Sequence, residues 1–139
     1  MSDFIAFVQL HWLWWVLLVV LVIAFALMEW IDKALGLLQL QPQQVVDRVN
    51  HQNAVVIDIR SAGDFQQGHI AHAVNIPRTD LTVQKLTVYQ SRPIILVCQL
   101  GQSVKAVGKQ LQRQGLKNVM YLEGGMTRWL TDNLPVVKN

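Results

Sequence analysis

The only cysteine among the 139 residues, Cys98, ends an apolar run and precedes a short polar loop in the stretch IILVCQLGQSVKAVGKQL (residues 94–111). A cysteine thiolate is a nucleophile, whereas a buried free thiol is simply a small apolar side chain. The apolar run predicts a strand, and the spacing of Val104, Val107 and Leu111 predicts a helix after the loop. Cys98 would then lie at the carboxyl end of a strand, where open parallel sheets bind their ligands.

The loop between this strand and this helix is expected to surround the sulfur. Its backbone N–H groups and the positive end of the following helix would favour the thiolate over the thiol. Gly101 lets the loop backbone approach without a Cβ in the way, and Lys105 would add a mobile positive charge near the mouth. These features make Cys98 a candidate nucleophile and Gln99, Leu100, Gly101, Gln102, Ser103 and Lys105 candidate substrate-binding residues. A buried structural cysteine accounts for the same position about as well.

The second part of the chain has the pattern of an α/β domain. Short apolar runs at residues 54–59, 73–77, 93–98 and 118–122 predict four strands. A helix between the last two makes a βαβ crossover, which implies a parallel sheet. A helix beginning near Pro42 and a last one after Gly125, with Trp129 and Leu130 packing inward, complete an open parallel sheet flanked by helices.

The first part contains 17 residues, from Trp12 to Met28, without charge, glycine or proline. This length approaches the thickness of a bilayer, and tryptophans stand at both ends. The sequence AFA (residues 24–26) resembles a signal cleavage site, but no Lys or Arg precedes the apolar run, so an uncleaved anchor is favoured. We predict a tail over residues 1–9, one transmembrane helix over 10–30, a juxtamembrane linker over 31–40 and a domain over 41–139.

Charge and cysteine content suggest where the domain faces. Residues 1–33 carry three acidic residues and one lysine, a net −2, whereas the remaining eleven Lys/Arg and six Asp/Glu give +5. Asp3 and no Lys or Arg precede the apolar run, whereas Lys33 and then Arg48 follow it. This distribution of basic residues predicts a single-pass protein of the cell inner membrane with its domain in the cytoplasm, where a lone cysteine stays reduced. The bilayer is thus an expected partner. The basic residues form no block, so nucleic-acid binding is not expected.

Three blocks of the sequence resemble the rhodanese family. VVIDIRSAGDFQQGHIAHAVNIP (residues 55–77) is similar to its first signature, VCQLGQSVKAV (97–107) to its active-site loop, and NVMYLEGGMTRW (118–129) to its closing signature. The resemblance implies a sulfurtransferase whose loop cysteine carries sulfane sulfur as a persulfide. The donor would be thiosulfate or a persulfide and the acceptor a thiol, with no cofactor or metal.

Two positions depart from the family pattern. Ser103 stands where the family often has an arginine, in C-x-x-G-x-R-S, which would help hold an anionic donor. Thiosulfate:cyanide activity is therefore expected to be weak. His72 replaces a common glycine, for which the sequence offers no functional account.

Other functions are less favoured by the sequence. His69 and His72 in GHIAH lack a third metal ligand, and His69 is expected to bond its imidazole to backbone beside Gly68. Asp58 and Arg60 are expected to anchor the loop that follows them. Cysteine phosphatase chemistry would need a loop arginine. The main alternative is a catalytically silent, membrane-tethered binding module, and a membrane-protein partner is a further hypothesis motivated by the span.

Overall fold

The N-terminal unit of the chain consists of two helices. The computed structural model describes residues 1–34 and 36–139, which form two compact units, Met1–Gly36 and Leu37–Asn139. Helix α1 (Ser2–Leu10) and helix α2 (Trp12–Ala34) are separated at His11. The stretch Trp12–Ile31 of α2 is long and apolar enough to cross a membrane, and none of it is buried within the protein.

The structure differs from the sequence predictions on both sides of α2. Residues 2–9 of the predicted tail are helical, and Leu10, predicted as the start of the transmembrane helix, is the last residue of α1. Residues 1–34 contain no glycine or proline, and Asp3 lies in the first turn, where a negative charge stabilises the helix dipole. The predicted linker, residues 31–40, includes Leu35, which lies outside the described residues. Within that linker α2 continues to Ala34, and Leu38–Leu40 form a strand, β1, which the sequence did not predict.

The C-terminal unit is built on a five-stranded parallel sheet in the order β1-β5-β4-β2-β3. The strands after β1 are β2 (Val55–Asp58), β3 (Val74–Asn75), β4 (Ile94–Val97) and β5 (Val119–Leu122). All four predicted strands are confirmed. Every residue of β2, β4 and β5 is buried, as expected for strands covered by helices on both faces.

Helices connect the strands and cover the sheet. They are α3 (Pro42–Gln52), α4 (Ala62–Gln67), α5 (Val83–Leu86), α6 (Ser103–Arg113) and α7 (Gly125–Thr131), with 3₁₀ turns at Arg78–Asp80 and Thr87–Tyr89. Pro42 occupies the first turn of α3, as predicted, and the Gln44 side chain accepts a hydrogen bond from the Gln41 N–H at 2.8 Å.

Alternate residues of β4 point to opposite faces and divide the core in two. Ile94 and Leu96 pack in the cluster that contains Val104, Val107 and Leu111 of α6. Ile95 and Val97 pack in the cluster that contains Val45 of α3 with Met126 and Trp129 of α7. Two cores on one sheet hold β4 rigidly in the middle, so the residue that follows it has a fixed position.

The prediction that Leu130 packs inward is wrong, because its side chain is 51% exposed. Neighbouring positions on an α-helix lie about 100° apart, so Trp129 and Leu130 do not share a face. Trp129 takes the buried position and donates a hydrogen bond from Nε1 to the Pro135 carbonyl at 3.0 Å.

Candidate functional site

Cys98 directly follows β4, which lies between β5 and β2, at the carboxyl edge of the sheet. The residue is only 5% exposed and belongs to the core cluster on the α6 face. The backbone N–H of Gly101 donates a hydrogen bond to the Cys98 Sγ at 2.9 Å. A donor on the sulfur stabilises negative charge there, and the N-terminus of the eleven-residue helix α6 follows two residues after Gly101.

Close backbone packing determines the shape of the loop. Gly101 has φ +81°, and a Cβ placed on it would lie 2.7 Å from the backbone nitrogen of Gly124. Gly124 and Gly125 also have positive φ, +70° and +58°. A side chain on Gly125 would overlap the Cys98 carbonyl. These glycines therefore allow the Cys98 loop and the start of α7 to pack directly against each other.

The first N–H groups of α7 bind the same loop. The Met126 N–H donates to the Cys98 carbonyl at 2.9 Å, and the Thr127 N–H donates to the Gln99 carbonyl at 3.1 Å. The first N–H groups of a helix have no partner within the helix, so these bonds satisfy donors that would otherwise need water or a ligand. Helix α7 thus fixes the backbone of Cys98 and Gln99 by two hydrogen bonds.

A chain of side-chain hydrogen bonds reaches the loop from β2. Arg60 Nη2 lies 2.7 Å from Oδ2 of Asp58, which is 1% exposed, and also donates to the Gly68 carbonyl at 2.8 Å. Arg60 Nη1 donates to Gln99 Oε1 at 3.3 Å, and Gln99 Nε2 donates to Thr127 Oγ1 at 3.2 Å. Asp58 and Arg60 thus form a buried ion pair that also contacts the loop.

An open depression of about 470 Å³ lies over the sulfur, lined by Cys98, Gln99, Leu100, Gln102 and Ser103. The structure therefore brings most of the predicted site residues together, with Gly101 contributing its N–H to the sulfur. Leu100 is 61% exposed at the tip of the loop. Because the sulfur is nearly buried and open on one side, it can attack a small or extended sulfur compound from that side. The rest of the thiolate is shielded from water.

The Lys105 side chain contacts Tyr121 of β5. Its Nζ lies 5.7 Å from the centroid of the Tyr121 ring, a cation–π contact across the α6 side of the sheet. The Tyr121 hydroxyl donates to Gln39 Oε1 at 2.6 Å. The ammonium has a partner on β5, and Lys105 is not among the residues that line the depression in the part of the chain described. Its role as an electrostatic helper stays a prediction.

The two histidines of GHIAH occupy different environments. His69 is 4% exposed, stacks on Phe65 with 3.7 Å between ring centroids, and places Nδ1 2.7 Å from the Phe65 carbonyl. Its imidazole is therefore bonded to backbone, as predicted. His72 is exposed and has φ +63°, a left-handed conformation that favours glycine and that histidine tolerates better than most residues. This conformation explains why glycine suits the position.

Sequence reasoning missed several residues that support the site. Met126 and Thr127 bind the loop backbone, and Asn75 Nδ2 donates to the carbonyls of Asp58 and Arg60 at 3.1 and 3.0 Å. These partners are 15 to 28 residues apart in the chain. No local periodicity signals such contacts, although the glycine pair after β5 marks the place where α7 meets the loop.

The chain belongs to the rhodanese family, since the model of the rhodanese-like domain matches residues 41–132. An uncharacterized protein of Buchnera aphidicola is 33% identical over 99 residues, covering 69% of each chain. The thiosulfate sulfurtransferase GlpE of Shewanella oneidensis is 30% identical over 90 residues, covering 65% of this chain and 89% of that protein. This chain covers 63% to 69% of the length of several uncharacterized relatives.

Solved structures show the same fold. A rhodanese-related protein from Thermoplasma volcanium superposes with a TM-score of 0.60 at 22% identity, covering 73% of this chain and 99% of that one. At this identity the likeness concerns the fold alone. The α/β parallel sheet flanked by helices, predicted from the apolar runs, is therefore confirmed.

Proposed function

We propose that this protein is a membrane-anchored sulfurtransferase that carries sulfane sulfur as a persulfide on Cys98 and passes it to a thiol or another nucleophile. The observation that supports this proposal most directly is the Gly101 N–H on the Cys98 sulfur, at the bottom of an open depression. Membership of the rhodanese family and the likeness to thiosulfate sulfurtransferases point to the same chemistry.

The transfer consists of two displacements at sulfur. The Cys98 thiolate attacks the outer sulfur of thiosulfate, a bond forms between Sγ and that sulfur, and the bond to the sulfonate sulfur breaks with release of sulfite. An acceptor thiolate then attacks the outer sulfur of the persulfide and returns Cys98 as thiolate. No added oxidant or reductant is needed, because in each displacement the attacking thiolate supplies the electron pair of the new S–S bond and the leaving group departs with the pair of the broken one.

The loop suits the charge that this chemistry creates. A persulfide anion places negative charge one atom beyond Sγ, inside the depression formed by Gln99 to Ser103. Backbone N–H donors and the α6 N-terminus stabilise such a charge without a counter-ion, as an oxyanion hole does. Because α7 and the glycine packing fix the loop backbone, these donors need little reorganisation during transfer.

The proposal is tested by the intact mass of the full-length chain in detergent, after incubation with thiosulfate and, separately, with a small persulfide. Loading predicts the gain of one sulfur atom, which is lost on addition of cyanide or thiol. Cys98→Ser is the matched control and should gain nothing. A folded protein with a free Cys98 that gains no sulfur from either donor would instead support the catalytically silent binding module.

Anchoring in the cell inner membrane, with the rhodanese domain in the cytoplasm, is the second part of the proposal. Helix α2 supports it, since Trp12–Ile31 can span the hydrocarbon core. We expect the protein to stay with membranes after alkaline extraction and to release its domain only by proteolysis from the cytoplasmic side. A chain that begins at Leu37 should be recovered in the soluble fraction.

Tethering would raise the local concentration of the domain beside a membrane-bound donor or acceptor of sulfur, without any new contact. This hypothesis rests on the span alone. It predicts that the domain without α1 and α2 fails to restore at least one defect of a deletion strain, and full restoration by the untethered domain would contradict it.

A further inference from the structure

The edge of the sheet at which the strands begin, here called the amino edge, carries basic residues. The strands are parallel, so all of them begin at this edge and end at the opposite one. Ile94 of β4 pairs with Val119 of β5, and Arg92 and Lys117 each stand two residues before that pair. The Ile94 N–H also donates to the Asn118 carbonyl at 2.9 Å. Arg92 and Lys117 therefore enter the sheet side by side.

Helix α6 brings two more cations toward the amino edge. It begins near Cys98 and ends at Arg113, a few residues before β5 begins. Lys109 and Arg113 are four residues apart and so lie on one face of the helix, which contains no acidic residue. We call Arg92, Lys109, Arg113 and Lys117 the amino-edge cluster. Its members are spread over residues 92–117, so they form no basic block in the sequence.

The amino-edge cluster has no acidic partner among the residues that the structure describes. Arg113 and Lys117 are exposed, and none of the four side chains forms an ion pair in that part of the chain. Arg92 donates from Nε to the Asn53 carbonyl at 2.7 Å, a neutral acceptor that leaves the positive charge unbalanced. Lys109 and Arg113 are like charges one turn apart, an arrangement that slightly destabilises a helix. An external anion would relieve this repulsion.

The acidic residues of the domain lie elsewhere. Of the six that follow Leu37, four end or follow strands at the opposite edge: Asp58, Asp64, Asp80 and Glu123. The other two, Asp47 and Asp132, lie 3.0 Å from His51 and 3.1 Å from Arg128. The segments that lead into β1, β2, β4 and β5 contain no acidic residue: 36–37, 53–54, 91–93 and 114–118. Positive charge is therefore in excess where the strands begin.

The chain enters the domain at the same edge. Strand β1 pairs in parallel with β5, so it begins at the amino edge. Leu37, just before β1, packs against the core on the α6 side, and a Cβ on Gly108 would overlap its side chain. Residues 32–37 separate β1 from Ile31, the last residue of the stretch that can span a membrane. An extended chain of this length covers at most roughly 25 Å, so the tether is short.

We propose that the amino-edge cluster binds the anionic lipid headgroups of the membrane in which α2 is anchored. This inference rests on the proposed anchoring and goes beyond it, because it assigns a lipid-binding surface to the domain. A basic side chain close to an anionic bilayer gains about fivefold in binding, so four of them orient a domain that a tether alone leaves free to turn. Cys98 lies at the opposite edge, so docking directs its depression away from the bilayer.

The test uses the full-length chain carrying Cys98→Ser, so that one introduced cysteine can hold a fluorescent donor. Ser91→Cys places the donor at an exposed position of the amino edge, and Gln102→Cys places it at an exposed position of the opposite edge. Each protein is reconstituted into nanodiscs that contain an acceptor on a lipid headgroup. The nanodiscs consist of phosphatidylcholine alone or of equal parts phosphatidylcholine and phosphatidylglycerol.

We expect energy transfer from position 91 to be about twofold or more higher in the anionic nanodiscs, because the cluster then rests on the headgroups. Transfer from position 102 should not rise. The difference at position 91 should disappear in about 1 M salt, where the Debye length falls to about 3 Å.

Reversal of charge tests the cluster itself. Arg113→Glu combined with Lys117→Glu changes two exposed residues and should abolish the dependence of position-91 transfer on lipid charge. Arg78→Glu combined with Lys138→Glu is the matched control. It changes the net charge by the same amount at exposed residues outside the segments that lead into the strands, and the dependence on lipid charge should persist.

Two results overturn the inference while leaving the anchoring intact. Equal transfer from position 91 in the two kinds of nanodisc would do so, and would leave the cluster for a soluble anionic partner such as an acidic protein. An equal loss of lipid dependence in the two charge-reversed proteins would show attraction by net charge instead of binding by the cluster. A chain that does not co-elute with nanodiscs contradicts the proposed anchoring and this inference together.

Discussion

The backbone nitrogen of Gly124 lies 2.7 Å from the point that a Cβ on Gly101 would occupy. The two glycines belong to the Cys98 loop and to the start of α7, and each has a positive φ. The loop that donates an N–H to the sulfur is therefore formed by direct contact of two backbones, which no other residue at position 101 permits without displacement.

Gly101→Ala is expected to destabilise the domain by about 2–4 kcal/mol, from the left-handed φ and the overlap with Gly124. Sulfur loading should fall with it, because a shifted loop removes the N–H from the sulfur. Urea-dependent pulse proteolysis of the full chain gives the free energy of unfolding, and intact mass gives the loading rate.

Gly63→Ala is the matched control for this prediction. Gly63 lies in α4, and a Cβ there meets nothing within 4 Å. The substitution should leave loading unchanged and raise the free energy of unfolding by about 0.5–1 kcal/mol, as for alanine in place of a helical glycine. Equal stability of Gly101→Ala and the wild type would show that the loop relaxes freely.

The buried ion pair provides the second prediction. Asp58→Ala leaves the Arg60 guanidinium without its main acceptor, and Arg60 is only 9% exposed. Removal of one partner of a buried pair costs about 3–5 kcal/mol. The free energy of unfolding should fall by that amount. Asp132→Ala, which breaks the exposed pair with Arg128, should lower it by less than about 1 kcal/mol.

A similar loss in both aspartate variants would contradict the assignment of Asp58 and Arg60 as a structural anchor. The ion pair is expected to affect both the stability of the domain and the position of the Cys98 loop. The rate of sulfur loading by the Asp58→Ala protein that remains folded reports the second effect alone. If Arg60 acts on the loop only through Gln99, the folded protein should load more slowly, whereas the Asp132→Ala protein should load at the wild-type rate.

His72 provides a third prediction, because its φ is +63°. His72→Gly removes about 1–2 kcal/mol of left-handed strain and adds about 0.4–1 kcal/mol of chain entropy in the unfolded state. The free energy of unfolding should therefore rise, by up to about 1.6 kcal/mol, whereas His72→Val should lower it because a β-branched residue tolerates this conformation poorly. Destabilisation by His72→Gly would reveal a side-chain role.

The sequence predicted the position of Cys98 because local patterns carry that information. The β-branched run before it forms β4, and the spacing of Val104, Val107 and Leu111 forms α6. The βαβ arrangement then allows only a parallel sheet, so the cysteine had to lie at its carboxyl edge. The glycine at 101 was expected to permit close approach, and its φ of +81° agrees.

Features that depend on contacts distant in the chain were not predicted. Strand β1 has three residues and pairs with β5, some 80 residues further on, so no periodicity could reveal it. The contact of Lys105 with Tyr121 and the bond of Gln99 to Thr127 depend on how α6 and α7 are placed on the sheet. Leu130 was assigned to the wrong face because a seven-residue helix has too few turns to define its apolar side.

Ser103 is where the family pattern commonly has an arginine, and it lies in the first turn of α6, lining the depression over Cys98. Ser103→Arg should therefore supply the missing cation. A hydrogen bond to a charged group contributes about 1.5–3 kcal/mol, and each 1.4 kcal/mol is about a tenfold change in rate or affinity. We expect thiosulfate to load Cys98 at least about tenfold faster in this variant, measured by intact mass.

Ser103→Gln is the control, because it adds length and hydrogen-bonding capacity without charge. The ratio of thiosulfate loading to loading by a small persulfide without other charged groups, which carries at most one negative charge, should rise in the arginine variant and stay near the wild-type value in the glutamine variant. A positive side chain in the first turn opposes the α6 dipole by about 0.3–1 kcal/mol, so some loss of stability is expected. If the ratio does not rise although the arginine variant folds, the missing cation does not limit thiosulfate use, and the restriction lies in the shape of the loop.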